Sequence, residues 1–551
     1  MISSLGPALQ YHLPVLAVLL PAFTAFGLLL LGDRGADVHG GHGHQRLQWA
    51  RRIALLSAAG GLLIATLLVQ QAATGTLTVY RVGDWPAPYG IVLVVDRLGA
   101  VMVLLTALVA LPVLWYASGG WDSHGRHFHA LFQFQLMGLN GAFVTGDLFN
   151  LFVFFEVLLI ASYVLMLHGQ GRERMRVGLH YVVLNLVASA LFLVGVALVY
   201  AKTGTLNFAD LALRVPQVSA ADAALLQAGG LLLLVVFGFK AALAPLSMWL
   251  PATYAAASAP VAALFAIMTK VGVYAVLRVH GVIFGADGGP SALLAEPVLL
   301  PAAMATCAFG VCGALAARTL PRLVAWLNVA SVGTVLVAVG LYSPLAWSAG
   351  LYYLINSTLV IAGLFLLAEL VAAQRGDTGG RLEPASPVAQ PTMLGLMMLL
   401  AAASAAGLPP LPGFIGKLML LEAATPHTWQ VAVWTTVLAV GFLTLVGLGR
   451  AGSLLFWHVR EELPGTSAGA SGKLVAATTL LLAATVAMSV FAAPIQRYTS
   501  ATALQLLDRA AYARAVLGEE AERTQTTRPY RFDPAAPAQG AADAPAAEPP
   551  R

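Results

Sequence analysis

Charge is scarce in this sequence: Asp, Glu, Lys and Arg make up only 10% of its 551 residues. Soluble globular chains carry roughly a quarter, so that class is excluded. The net charge is +5, too little to build a basic stripe, and no nucleic-acid partner is expected. Cysteine is nearly absent. Cys307 and Cys312 stand alone, outside any CxxC, and their five-residue spacing on one helix cannot close a disulfide. Both are expected as buried free thiols. HExxH, haem CxxCH and iron–sulfur cysteine sets are missing, which leaves no residues for redox or metal chemistry, and no cofactor or metal is expected. No Lys or Arg precedes Arg34, so the basic n-region of a signal peptide is lacking and a retained first span is expected.

What is present is apolar sequence. Hydrophobic residues make up 59% and the mean hydropathy is +0.81. Apolar runs long enough to cross a bilayer recur along most of the chain, which reads as an all-α polytopic membrane protein. Fourteen spans are expected near 13–32, 53–71, 98–118, 127–146, 148–168, 178–201, 224–249, 259–283, 296–317, 322–342, 348–373, 392–423, 428–457 and 474–493. The span at 224–249 runs into "APLSMWLP" and that at 392–423 contains "GLPPLPGF". Proline removes a backbone donor and clashes with the preceding turn, so both read as interrupted helices. Interrupted helices in corresponding positions of two halves point to a transport site, because their freed backbone groups need water or polar partners. Two Pro-kinked helices packed only for shape are the bland alternative.

Lys and Arg in short loops orient the spans. Arg34, Arg46, Arg51, Arg52, Arg126, Arg172, Arg174, Arg176, Arg318, Arg375, Arg381, Arg460 and Lys473 fall on one side. Fewer, including Arg81, Arg97, Lys202 and Arg214, fall on the other. Both termini are therefore expected outside the cytoplasm. The alternating stretch 76–98 around "PAP" suggests an extracytoplasmic β-hairpin. The Pro- and Ala-rich tail from about 520 is expected to be disordered. His39, His42 and His44 form a Gly-rich inside loop that reads as solvated rather than metal-binding. "GASGKL" lacks the spacing and the final Ser/Thr of a phosphate loop. Asn356-Ser357-Thr358 matches a glycosylation sequon but lies within a span.

The chemistry resides in the few buried charges. Glu156, Lys240, Lys270 and Lys417 fall deep within spans, with Glu369, Arg278 and Glu422 nearer span ends. An ionisable group at membrane depth costs at least about 2.5 to 3.5 kcal/mol and is a functional candidate by default. Glu156 has no base in its own helix, so a Lys on another helix is its natural partner. Burial and an opposite charge act in opposite directions on proton affinity. A Glu/Lys pair feeding further lysines can therefore load, pass and release protons. A static ion pair is the structural alternative. His180 and Asn185, early in the sixth span, are read equally as lining a hydrated path or as paired internally.

At these residues the sequence resembles a known family. "TGDLFNLFVFFEVLLIASYVLMLHG" (145–169), "FGFKAALAPLSMWLPATYAAASAPVAALFAIMTKVGVYAVLR" (237–278) and "GLPPLPGFIGKLMLLEA" (407–423) are similar to the D-type subunit of the multisubunit Mrp-type Na⁺/H⁺ antiporter. "LYYLINSTLVIAGLFLLAEL" (351–370) and "YRVGDWPAPYGIVLVVDRLGA" (80–100) look like parts of that same protein, and the resemblance covers about residues 10 to 500. It implies fourteen helices with two inverted five-helix repeats, spans 4–8 and 9–13, and interrupted helices 7 and 12. The implied organisation is 1–126 for the first helices and hairpin, 127–283 and 284–457 for the repeats, 458–519 for the last helix and following segment, and 520–551 for the tail.

The resemblance also implies a proton relay of Glu156, Lys240, Lys270 and Lys417. Glu156 matches the fifth-helix glutamate and Lys240 the seventh-helix lysine paired with it. Lys270 matches the bridging lysine and Lys417 the lysine near the exit. Relatives in respiratory complex I carry histidines where this chain has Ser247, Tyr254 and Asn356. Ser247, Tyr254, Thr269, Ser331, Asn356 and His180 are therefore the linkers expected along a hydrated path. The implied protein is a non-enzymatic subunit of a Na⁺ or K⁺/proton antiporter in a bacterial inner membrane. It would assemble with A, B, C, E, F and G type subunits in the lipid bilayer. The alternative is a proton-pumping subunit of a redox-driven complex such as complex I or a membrane-bound hydrogenase.

Overall fold

The computed structural model describes residues 6–32, 41–460 and 469–518. The expected tail from 520 and His39 lie outside the described residues, as does the side chain of His42. The chain begins with α1 (Pro7–Leu31) and α2 (Gly41–Ala72), followed by strands β1 (Thr78–Arg81) and β2 (Val92–Val95). The strands pair antiparallel with Thr78 opposite Val95, which is the hairpin read from the alternating sequence. Then come α3 (Arg97–Ala117), α4 (Phe128–Val144), α5 (Leu148–Leu167), α6 (Arg172–Thr203) and the short α7 (Phe208–Arg214).

The two interrupted helices are present. α8 (Ala220–Ala241) stops, the chain unwinds through Pro245, and α9 (Trp249–Ala256) resumes before α10 (Ala259–Val276). α11 (Glu296–Leu315), α12 (Leu320–Gly340) and α13 (Pro344–Ala373) lead to the second break, between α14 (Pro391–Ala406) and α15 (Pro412–Ala424). α16 (Gln430–Gly452), α17 (Gly472–Val490), α18 (Ala492–Leu507) and α19 (Arg509–Leu517) complete the chain. One element order occurs twice: a long helix (α6, α13), a broken pair (α8–α9, α14–α15), then a helix that ends in a π-helical turn, 277–283 after α10 and 453–457 after α16.

Among the described residues, twelve helices are long and apolar enough to cross a membrane. The expected spans at 127–146 and 392–423 correspond to α4, with 17 residues, and to the broken α14–α15. A count of fourteen therefore depends on how these shorter helices are scored. Phe23, Leu30, Leu179, Leu399 and Phe442 present large exposed apolar side chains on the outer faces of the bundle. Such a surface belongs in lipid or against another apolar surface. The protein is a multi-pass integral membrane protein.

At the centre, α10, α12 and α13 are buried along nearly their whole length. The two ends of the bundle differ. At one, here the basic end, Arg51 donates twice to Asp122 (2.6 and 2.7 Å), Arg174 donates to the Ala256 carbonyl (2.8 Å) and Lys473 to that of Ser118 (3.0 Å). Asp122 lies between α3 and α4, is fully buried, and also bonds His129 at 2.9 Å. Burial would raise its pKa, but the hydrogen bonds and charges of Arg51 and His129 outweigh that and hold it at about 2. The hairpin marks the other end, where Tyr498 donates to the Arg97 carbonyl (2.9 Å) and Arg509 to that of Ala212.

The thiols divide. Cys307 is buried, whereas Cys312 is exposed, contrary to expectation. Five residues advance a helix by about 500°, a little over one and a third turns, so the two side chains face different directions. His44 does not sit in a loop, because α2 begins at Gly41; it meets Gln48 one turn on, at 2.9 Å.

Candidate functional site

Both helix breaks place a lysine beside unwound backbone. Lys240 is the last residue but one of α8, where Ala242 turns left-handed at φ 63°. The freed amide of Ala244 donates to Thr306 Oγ1 of α11 at 2.9 Å, so the second half of the molecule satisfies the break in the first. In the second break Gly407 takes φ 87°, a conformation that suits glycine. Lys417 Nζ reaches back to donate to the last carbonyls of α14, Ala406 at 2.7 Å and Ala405 at 3.3 Å. A cation at a helix C-terminus meets the negative end of its dipole and satisfies otherwise unpaired carbonyls. The backbones are tight here, since a Cβ at Gly413 would lie 1.9 Å from the Ser404 carbonyl oxygen.

The three lysines are buried and Glu156 is half-buried, and these charged groups do not touch one another. Lys240, Lys270 and Lys417 are 6%, 0% and 8% exposed, and none of them forms an ion pair within 4 Å among the described residues. Each instead bonds to neutral acceptors. Glu156 accepts a hydrogen bond from Ser189 Oγ, and Lys240 Nζ donates to Asn185 Oδ1 at 3.1 Å. Ser189 and Asn185 are one turn apart on α6, so that helix spans the gap between the two side chains. Lys240 also lies 6.0 Å from the centre of the Phe155 ring.

Lys270 Nζ donates to Asn328 Oδ1 of α12 at 2.8 Å and to Thr269 Oγ1 at 3.2 Å. A Cβ on Gly272 would lie 2.5 Å from the Ala241 nitrogen. The α8 and α10 backbones therefore meet directly between Lys240 and Lys270. One turn along α12 from Asn328, Ser331 donates to the Asn328 carbonyl (2.8 Å). Ser331 lines a cavity of about 20 Å³ with Tyr353, Asn356, Ser357, Lys417 and Thr444, which is room for a single water. The Nδ2 atoms of Asn328 and Asn356 are buried without a hydrogen-bond partner among the described residues. Lys240 and Lys270 thus each donate to an asparagine amide, and a water-sized cavity adjoins Lys417.

Residues 145–445 match the family described as NADH:quinone oxidoreductase/Mrp antiporter, TM. The chain belongs to this family. It is 39% identical over 540 residues to the D-type subunit of a K(+)/H(+) antiporter of Rhizobium meliloti, covering 92% of this chain and 97% of that one. It is 36% identical over 515 residues to the D-type subunit of a Na(+)/H(+) antiporter of Alkalihalophilus pseudofirmus, covering 92% and 100%. Among solved structures, a chain of the Mrp complex from Dietzia sp. DQ12-45-1b superposes with a TM-score of 0.80 at 27% identity, covering 93% of this chain and all of that one.

In this member of the Mrp antiporter family the expected linkers separate into two groups. Thr269 accepts from Lys270, and Ser331 and Asn356 line the cavity beside Lys417. Ser247 is buried with no partner for its hydroxyl, beside the first break. Tyr254 is committed elsewhere, donating to the Phe265 carbonyl at 2.9 Å. His180 is exposed on the rim of a surface groove at the basic end, so it is neither paired internally nor part of the buried line. Asn185 takes the role of acceptor for Lys240. Ser189 and Asn328 went unnoticed in the sequence, where a lone neutral polar residue in an apolar helix is an ordinary event; only their helical register toward Glu156 and Lys270 marks them.

Proposed function

We propose that this chain is the D-type subunit of a multisubunit monovalent cation/proton antiporter, and that protons cross it through Glu156, Lys240, Lys270 and Lys417. The observation that carries this reading is the set of three fully or nearly buried lysines, each held by neutral acceptors rather than by a counter-charge. A lysine in a permanent ion pair keeps its proton, whereas one bonded to an amide or carbonyl can exist in either state. Release from one lysine alters the field at the next, and each charge crossing the membrane potential is worth about 2.3 kcal/mol per 100 mV. That energy can drive Na⁺ or K⁺ in the opposite direction. The protein is a transporter subunit, not an enzyme, as its relatives' names support, and those names disfavour the redox-driven alternative.

The proposed setting is a bacterial inner membrane, with the basic end toward the cytoplasm and both termini outside, in keeping with the distribution of Lys and Arg. The partners are further antiporter subunits, of the A, B, C, E, F and G types in the proposed assembly. The test is cation-dependent pH change in vesicles carrying the complete complex. Glu156→Gln, Lys240→Ala, Lys270→Ala and Lys417→Ala should each reduce it at least tenfold while assembly is retained. Undiminished exchange in Glu156→Gln and Lys240→Ala would overturn the relay.

A further inference from the structure

Glu369 is the one acidic side chain of α13, and the relay does not use it. It lies near the basic end, mostly buried, and lines a cleft of about 380 Å³. The cleft is formed where the two halves meet, from the start of α6, the end of α9, the start of α10, the start of α12 and the end of α13. Ser258 lines the same cleft. It is 1% exposed, and its hydroxyl has no hydrogen-bond partner among the described residues. The polar neighbours of Glu369 are Arg174, Trp121, His124 and, from α3, Tyr116, with Glu173 and Arg172 further around the wall. Arg174 is committed elsewhere. It donates to the carbonyls of His168 (2.7 Å), Ala256 (2.8 Å) and Gln170 (3.3 Å), and it forms no ion pair with Glu369 within 4 Å. The carboxylate therefore faces a polar chamber without a locked counter-ion.

One face of α13 connects this chamber to the lysine line. Positions 357, 361, 365 and 369 repeat every four residues and share a side of the helix. Glu369 and Phe365 line the cleft, while Ile361 and Ser357 line the cavity beside Lys417. Along α13 the lining changes from one space to the other between Phe365 and Ile361, one turn apart, a rise of about 6 Å. Both side chains are 2% exposed and apolar.

We infer that the cleft is the aqueous mouth of the proton path at the basic end, that Glu369 is its proton-binding group, and that Phe365 with Ile361 is the barrier closing it from the Lys417 cavity. The inference rests on the relay proposed above and adds its exchange point with water. When the barrier opens, a proton leaves the Lys417 ammonium, passes by way of the cavity water through the gap between Ile361 and Phe365, and binds the Glu369 carboxylate. From there it passes to bulk water. No other bond is made or broken.

The experiment uses the complete complex in vesicles. Glu369→Gln should lower cation-dependent proton exchange at least tenfold, and Glu369→Asp should retain most of it. With Cys307 and Cys312 replaced by alanine, Ala257→Cys in the cleft wall should react with a membrane-impermeant maleimide from the basic end only. Ile361→Cys should be inert, and should become reactive when Phe365→Ala is added. Full exchange in Glu369→Gln with Lys417→Ala inactive overturns the assignment of Glu369 and leaves the relay standing. Full exchange in both overturns the relay. An unreactive Ala257→Cys overturns the aqueous mouth, and an unreactive Ile361→Cys in the Phe365→Ala background overturns the barrier.

Discussion

Lys240 bonds Asn185 at 3.1 Å, while Glu156 bonds Ser189 one turn further along the same helix. Two opposite charges are thereby bridged by neutral groups of α6 rather than by each other. Replacing Asn185 with Leu removes the acceptor and strands a buried ammonium, at a cost of about 1 to 3 kcal/mol for an unsatisfied group and more for a charged one. Exchange in reconstituted vesicles should fall at least tenfold. Asn185→Asp should also impair it, because a fixed counter-charge traps the proton on Lys240. Normal exchange in Asn185→Leu would show that the amide is a bystander.

Asn328 provides the same test in the second half. Its Oδ1 accepts from Lys270 at 2.8 Å in a site with no water exposure. Asn328→Leu should reduce exchange as severely as Lys270→Ala, with the complex still assembled on a native gel. Asn328→Gln places an amide at a different reach and should restore only part of the activity.

Gly413 controls the second break. A methyl group there would meet the Ser404 carbonyl oxygen at 1.9 Å, so Gly413→Ala must push α14 and α15 apart. Overpacking of this kind costs about 1 to 3 kcal/mol. The purified complex should melt at a lower temperature, and exchange should drop as Lys417 is drawn off the Ala406 carbonyl. Gly449 is a matched control, since nothing lies near its Cβ position, and Gly449→Ala should leave the melting temperature unchanged.

Asp122 makes stability depend on acid. Its folded pKa of about 2 lies below the usual carboxylate value. The stabilisation it contributes is therefore present above about pH 4 and is lost as pH falls toward 2. Roughly two units correspond to about 2 to 3 kcal/mol. Asp122→Asn should lower the melting temperature at pH 7 and narrow the difference between pH 7 and pH 3. A variant with an unaltered pH profile would remove Asp122 from the account.

The sequence made the charges legible because apolar surroundings penalise them, and Glu156 and the three lysines could be named without coordinates. Both interrupted helices were legible from their prolines, and the hairpin from its alternating Val and Tyr. The neutral members were harder to see. Ser189 and Asn328 gain their meaning from register against a partner helix, which one sequence does not display. His180 misled because its face of α6 turns outward, whereas Tyr254, whose phenol satisfies the Phe265 carbonyl, lines the cleft beside Glu369. Cys312 misled for a similar reason: an apolar helix in lipid exposes apolar residues as readily as it buries them.

α13 runs for 30 residues without a break, about 45 Å, whereas α8–α9 and α14–α15 are each interrupted. A continuous rod has a single tilt. If it pivots at the turn between Ile361 and Phe365, the two lengths on either side swing in opposite directions. The chamber at Glu369 and the cavity at Lys417 would then open in alternation, in the manner of an airlock whose two doors hang on one beam.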